Sequence, residues 1–173
     1  MSKSLHIIRH ATSDWSDECA DIDRGLNKRG YKDTALIGEY LTTNDYQIEQ
    51  ILCSTARRAR ITLEELNRYL DIPTRNIQHI EALYLASSAH LTSIIENTDN
   101  RYHQIAIIGH NPGLTELCYY YTGDYLANLP TCAVYSIHFD VDDWQALGCE
   151  LGTTTKFITP RKLKDHLLKL HLV

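Results

Sequence analysis

Apolar and polar positions along this chain fall into blocks that read as strand, helix, strand, helix. Ser4–Ile8 is a short apolar block suited to a buried strand, and a polar stretch from Ala11 to about Leu26 follows it. From Asn27 to Thr42, Ile37, Tyr40 and Leu41 fall at the i, i+3, i+4 spacing of one helical face. Ile48–Cys53 predicts a second strand, and Arg57–Leu70 a second helix that stops before Pro73. His90–Asn97 predicts a short helix. Ile105–Ile108 is a continuous apolar run, as in a strand covered on both faces of a parallel sheet. Asn111-Pro112 then predicts the start of a helix to about Tyr121, with Asn as cap and Pro at the first helical position. Val134–Phe139 and Lys156–Ile158 predict later strands, and Pro160 introduces a last helix, Arg161–His171. Such alternation implies right-handed crossovers and an α/β fold: a three-layer α/β/α sandwich with a mostly parallel central sheet.

Composition narrows the picture without naming a partner. The 173 residues are 43% apolar and carry 17 basic and 22 acidic side chains, a net charge of −5. That length suits one domain with a core of its own. Mild acidity is no footprint for nucleic acid, so no nucleic-acid partner is expected. The longest apolar runs fall far short of the ~20 residues of a membrane helix, so no membrane partner is expected either. The five cysteines include no C-x-x-C pair, and Leu5–Ile8 runs too quickly into Arg9-His10 to be a secretory core. A reduced, cytoplasmic protein is the expectation.

The candidate chemistry sits where the predicted strands end. Ile7-Ile8 leads into Arg9-His10, Leu52-Cys53 into Ser54-Thr55-Ala56-Arg57-Arg58, and Ile107-Ile108 into Gly109-His110-Asn111-Pro112. In a parallel sheet, ligands bind outside the carboxyl ends of the strands. If these three strands are neighbours, arginines and histidines converge on one crevice. Arginine is a permanently charged, planar fork of donors suited to phosphate, and a helix start at Pro112 adds backbone N–H groups. The crevice reads as an anion pocket, with phosphate the expected anion. Arg9 sits between His6 and His10 and no carboxylate lies at any of the three strand ends, so a metal site is not expected. No phosphate loop of the Gly-x-x-x-x-Gly-Lys type occurs.

At these residues the sequence resembles the histidine phosphatase superfamily, and within it the small SixA-type phosphohistidine phosphatases. Arg9-His10-Ala11 resembles the family's Arg-His-Gly signature. Ser54 to Thr62 resembles its Ser-x-x-x-Arg-Ala-x-x-Thr segment, which selects Arg58 over Arg57. Gly109-His110-Asn111-Pro112-Gly113 resembles the segment of the second histidine, and Arg24-Gly25-Leu26-Asn27-Lys28-Arg29-Gly30 the Arg-x-Leu-(Thr/Asn)-x-x-Gly stretch. Leu129-Pro130-Thr131 and Pro160-Arg161-Lys162-Leu163 are also similar. The resemblance implies one histidine phosphatase domain over residues 1–173, with a phosphoglycerate mutase-like fold. It further implies a nucleophile at His10, with Arg9, Arg58 and His110 around the phosphoryl group, Arg24 and Asn111 as substrate contacts, and no cofactor. Transfer would pass through a covalent phosphohistidine, and the partner would be a phosphohistidine protein or a small phosphorylated substrate.

Two departures from the family pattern stand out. Ala11 replaces a glycine, which would cost roughly 1–2 kcal/mol if that position needed positive φ. Relatives that cleave esters use a mid-chain carboxylate as proton donor, and here only Glu81 stands near that place. Lack of a well-placed acid favours a phosphoramidate, whose imidazole leaves more easily than an alkoxide. A phosphatase of small esters and a non-catalytic phosphate-binding module are the alternatives. Asp14, Asp17, Glu18, Asp21 and Asp23 crowd the stretch after His10 and are expected at the pocket rim, with Trp15 beside them.

Overall fold

The computed structural model describes residues 2–16, 18–149 and 151–170. Strands β1 (Lys3–Arg9), β2 (Gln50–Ser54), β3 (Ile77–Ile80), β4 (Gln104–Gly109), β5 (Val134–Phe139) and β6 (Thr153–Ile158) form one sheet in the order β3-β2-β4-β1-β5-β6. The first four in that order are parallel, and β5 and β6 join antiparallel at one edge. Helices α1 (Lys28–Thr43), α2 (Arg57–Leu70), α3 (Ser88–Glu96), α4 (Gly113–Thr122) and α5 (Pro160–Leu170) cover the two faces.

Strand β4 shows why three layers form. Ile105, Ala106, Ile107 and Ile108 are all fully buried, and successive side chains take opposite faces. Ile105 and Ile107, with Leu5 and Ile7, pack on Leu91, Ile95, Leu114 and Leu117 of α3 and α4. Ala106 and Ile108, with Ile8, pack on Ile37, Leu41, Ala59, Leu63 and Leu66 of α1 and α2. The expected α/β sandwich is therefore the observed one. Among the described residues, no helix is long and apolar enough to cross a membrane.

Three local features differ from the sequence expectation. Strand β3 was not anticipated, because Ile77-Gln78-His79-Ile80 is a four-residue, half-exposed edge with a polar centre. A 3₁₀ run, Trp144–Cys149, closes the core beneath α3, and the buried Trp144 Nε1 donates to the Tyr102 carbonyl at 2.9 Å. Helix α4 starts at Gly113, with Pro112 in the cap place and no side-chain cap. Asn111, expected as the cap, instead donates from Nδ2 to Asn128 Oδ1 (2.6 Å) and the Leu129 carbonyl (3.0 Å). A Cβ at Gly113 would stand 2.0 Å from the Ala86 carbonyl oxygen, so this helix start is pressed against the loop that leads into α3. The expected end of the last helix, His171, lies outside the described residues.

Candidate active site

The sheet order places β2, β4 and β1 side by side, so the three predicted strand ends open into one cleft of about 320 Å³. Arg9, His10, Arg24, Arg58, His110 and Asn111 all line it, together with Thr12, Ser13, Trp15, Asp21, Leu85 and Thr131. A larger surface groove of about 740 Å³ around Tyr119, Tyr120 and Tyr125 has no basic lining residue.

His10 follows directly from β1 and is buried. Its Nδ1 stands 2.8 Å from the Ala11 carbonyl oxygen. A carbonyl only accepts, so Nδ1 holds the ring proton and Nε2 keeps a free electron pair. Arg58 Nε donates to that Nε2 at 3.3 Å. Burial, then the nearby Arg58 and Arg9 charges, outweigh the Ala11 contact and push the imidazole pKa down to about 4. His110, at the end of β4, lies with its ring 5.1 Å from that of His10. Its Nε2 pairs with Ser54 Oγ at 2.8 Å, and its buried Nδ1 has no hydrogen-bond partner. Burial first, then His10 and Arg58, lower its pKa to about 3.

Helix α2 presents the arginine. Its buried positions are Arg58, Ala59, Thr62, Leu63 and Leu66, one stripe at helical spacing. Arg57 lies off that stripe, exposed, and donates to the Asp23 carbonyl at 3.3 Å. Thr62 ties the helix to β1: its hydroxyl accepts from the Ala11 N–H (2.9 Å) and donates to the Arg58 carbonyl (2.7 Å). Ala11 itself is fully buried and is not among the residues with positive φ, so alanine here carries no left-handed strain.

The remaining contacts come from the loops. Arg9 donates from Nη1 to the Leu129 carbonyl at 2.8 Å, and its buried Nε has no partner. Thr12 meets Thr131 at 3.0 Å. Asn27 caps α1 by accepting from the Gly30 N–H at 2.9 Å. A Cβ at Gly30 would lie 2.4 Å from the Thr12 carbonyl oxygen, which explains the glycine in that stretch.

Asp21, expected at the pocket rim, does line the cleft, and it is held by Tyr84, a residue to which the sequence assigned no role. Asp21 accepts from Arg24 Nη2 (2.5 Å) and Nε (3.1 Å), from Arg58 Nη2 (3.0 Å) and from the Tyr84 hydroxyl (2.6 Å). The Tyr84 hydroxyl first, with the two arginines, holds its carboxyl well below the usual range, against an opposing penalty from burial. The Asp21/Arg24 spacing of three residues was a usable signal for the first pair; Tyr84 gave none. Glu81, three residues before Tyr84, is exposed at the head of a 3₁₀ turn and is not among the cleft-lining residues. Of the acidic stretch, Asp21 alone among the described residues lines the cleft. Asp14 accepts from Ser16 within its own loop, Glu18 is exposed, and Asp17 lies outside the described residues. Trp15 is 79% exposed, its ring 3.6 Å from the Arg24 guanidinium.

Comparison with known proteins matches this architecture. The sequence profile of the histidine phosphatase superfamily (branch 1) matches residues 5–84. An uncharacterized protein of Mycobacterium leprae is 30% identical over 167 residues, 89% of this chain and 100% of that protein. An uncharacterized Mycobacterium tuberculosis protein is 34% identical over 110 residues, 64% of this chain and 66%, just under two thirds, of that protein. Among solved structures, the protein histidine phosphatase SixA complexed with tungstate superposes with a TM-score of 0.76 at 23% identity, covering 92% of this chain and 99% of that one. By fold, motif order and relatives, this chain belongs to branch 1 of the histidine phosphatase superfamily.

Proposed function

We propose that this chain is a phosphohistidine phosphatase that works through a covalent phosphohistidine on His10. The observation that carries the reading is the tautomer of His10: Nδ1–H is held by the Ala11 carbonyl, so the electron pair of Nε2 is available in the anion pocket. Nε2 attacks phosphorus, and the P–N bond to the substrate imidazole breaks with its electron pair leaving on that ring. A substrate imidazole protonated at its other nitrogen departs neutral and needs no acid, consistent with the exposed position of Glu81. The His10 ring becomes cationic as the N–P bond forms, and the Ala11 carbonyl stabilises that charge. Arg9, Arg58 and His110 hold the phosphoryl oxygens, where charge is spread in the transition state. Arg24 and Asn111 border the substrate. Water then attacks phosphorus, the His10 N–P bond breaks, and phosphate leaves. The arginines supply the positive charge, so turnover persists in a strong chelator. The protein histidine phosphatase SixA, which shares this fold, takes tungstate, a tetrahedral oxyanion, in keeping with a phosphoryl-binding role.

The test is to incubate the protein with radiolabelled phosphohistidine protein, quench in alkali, and map the label. Acid-labile phosphate on His10, and none with His10→Ala, is the expected result. Label on serine or cysteine overturns the mechanism. Faster hydrolysis of small phosphate esters than of phosphohistidine protein overturns the substrate class.

A further inference from the structure

We propose that Asp21 is a resident anion of the phosphate site: its carboxylate occupies Arg24 and Arg58 while the cleft is empty, and an incoming phosphoryl group displaces it. The proposal rests on the reading of the cleft as a phosphoryl pocket, and adds that binding there is an exchange of one anion for another.

The contacts are those a phosphate oxyanion makes. One carboxylate oxygen, Oδ1, accepts from both the Nε and the Nη2 of Arg24, a charge-assisted pair of bonds converging on a single anionic oxygen. The other lies on Arg58 Nη2, and the Asp21 backbone carbonyl takes Arg58 Nη1 at 2.6 Å. Arg58 Nε is on His10 Nε2. Every nitrogen of Arg58 is thus engaged before substrate arrives. A phosphoryl group bonded to His10 Nε2 needs Arg58 Nε released and the guanidinium turned to its own oxygens, and the carboxylate stands in that position.

Detaching Asp21 disturbs little else. It sits on a 3₁₀ turn, Asp21–Asp23, that has no buried residue, and its side chain is 46% exposed. The turn is held to the body by these ion pairs, by the Tyr84 hydroxyl and by Arg57 on the Asp23 carbonyl. The carboxylate is half-exposed, so water can solvate it as it leaves, whereas a phosphoryl dianion brings more charge and a third equatorial oxygen to the two buried guanidiniums. The exchange therefore favours doubly charged phosphoryl groups over monoanions. It also helps product leave, because Asp21 returns to the arginines as phosphate departs.

Titration calorimetry with inorganic phosphate tests this on the intact chain, its Asp21→Asn variant and its Arg58→Ala variant. Asp21→Asn is expected to bind phosphate about 10-fold tighter, since the competing charge is gone while both arginines remain. Trp15 stacks on Arg24, so its fluorescence provides a second readout. Phosphate is expected to shift the Trp15 emission of the unaltered chain, and Asp21→Asn to show part of that shift without phosphate. Unchanged or weaker phosphate binding by Asp21→Asn overturns the proposal and makes Asp21 a fixed support for the arginines. Arg58→Ala separates the two levels. If it binds phosphate as well as the unaltered chain, the pocket assignment fails and this inference with it; if it loses binding while Asp21→Asn weakens it, the inference alone fails.

Discussion

Arg57 and Arg58 are chemically identical neighbours, and a rotation of about 100° per residue on α2 separates their fates. One is in the cleft at 3% exposure and the other is in solvent. Arg58→Ala is expected to lower kcat/KM by about 100-fold or more, the usual scale for losing a donor to a developing oxyanion, and Arg57→Ala by less than about 3-fold. Steady-state kinetics on both variants checks this, and equal losses would mean the wrong arginine has been placed in the site. The low pKa of His10 gives a second expectation. An imidazole titrating near 4 stays neutral and nucleophilic at mildly acidic pH, so the His10 ring resonances of the free protein, followed by NMR, should not titrate from pH 7 to about 5 and should shift only below that. A titration centred near 6.5 would show an imidazole in water-like surroundings. His10 and His110 were legible in the sequence because each directly follows an apolar strand, whereas that position offered Arg57 and Arg58 alike and the family resemblance selected Arg58. Asp21 was legible as part of the acidic rim, but its bond to Tyr84 was not, because that contact spans 63 positions and has no local spacing to betray it.

At the scale of elements, one hydroxyl sets the geometry between β1 and α2. Thr62 accepts from the first N–H after the nucleophile and donates to the carbonyl of Arg58. Thr62→Val keeps the shape but leaves the buried Ala11 N–H without a partner, a cost of about 1–3 kcal/mol. Urea denaturation should show that loss, and kcat should fall by about 10-fold as His10 and Arg58 lose alignment. A destabilised variant with unchanged kcat would reduce the tie to a structural one. Central strands and long helices were readable from pattern alone, since burial imposes their period. The cap of α4 was not: Asn111 has the right chemistry, but Asn128 and Leu129 take its amide, a competition decided by a loop that returns to the sheet later in the chain.

For the whole molecule, three buried histidines link folding to proton concentration. His6 and His10 titrate near 4 and His110 near 3, each chiefly because burial disfavours the charged ring. In the unfolded chain each titrates near 6.5. Between those values the unfolded state binds more protons than the native one, so stability rises with pH and falls as pH drops from about 6.5 toward 4. The slope approaches about 1.4 kcal/mol per pH unit for each histidine. Thermal melts should therefore move to lower temperature between pH 7 and pH 5, and a flat Tm over that range would contradict the buried, neutral rings.

The pairing of β1 with β4 joins Ser4 to Gln104 and Ile8 to Ile108, across about a hundred intervening residues. During synthesis at ~5–20 residues per second, β1 would wait roughly 5–20 seconds for that neighbour, and longer for β5. Through that interval Leu5, Ile7 and Ile8 form an apolar edge with no mate, open to chaperones or to another nascent chain. The same central strand that carries His10 is thus the segment most exposed to misassembly before the sheet can close around it.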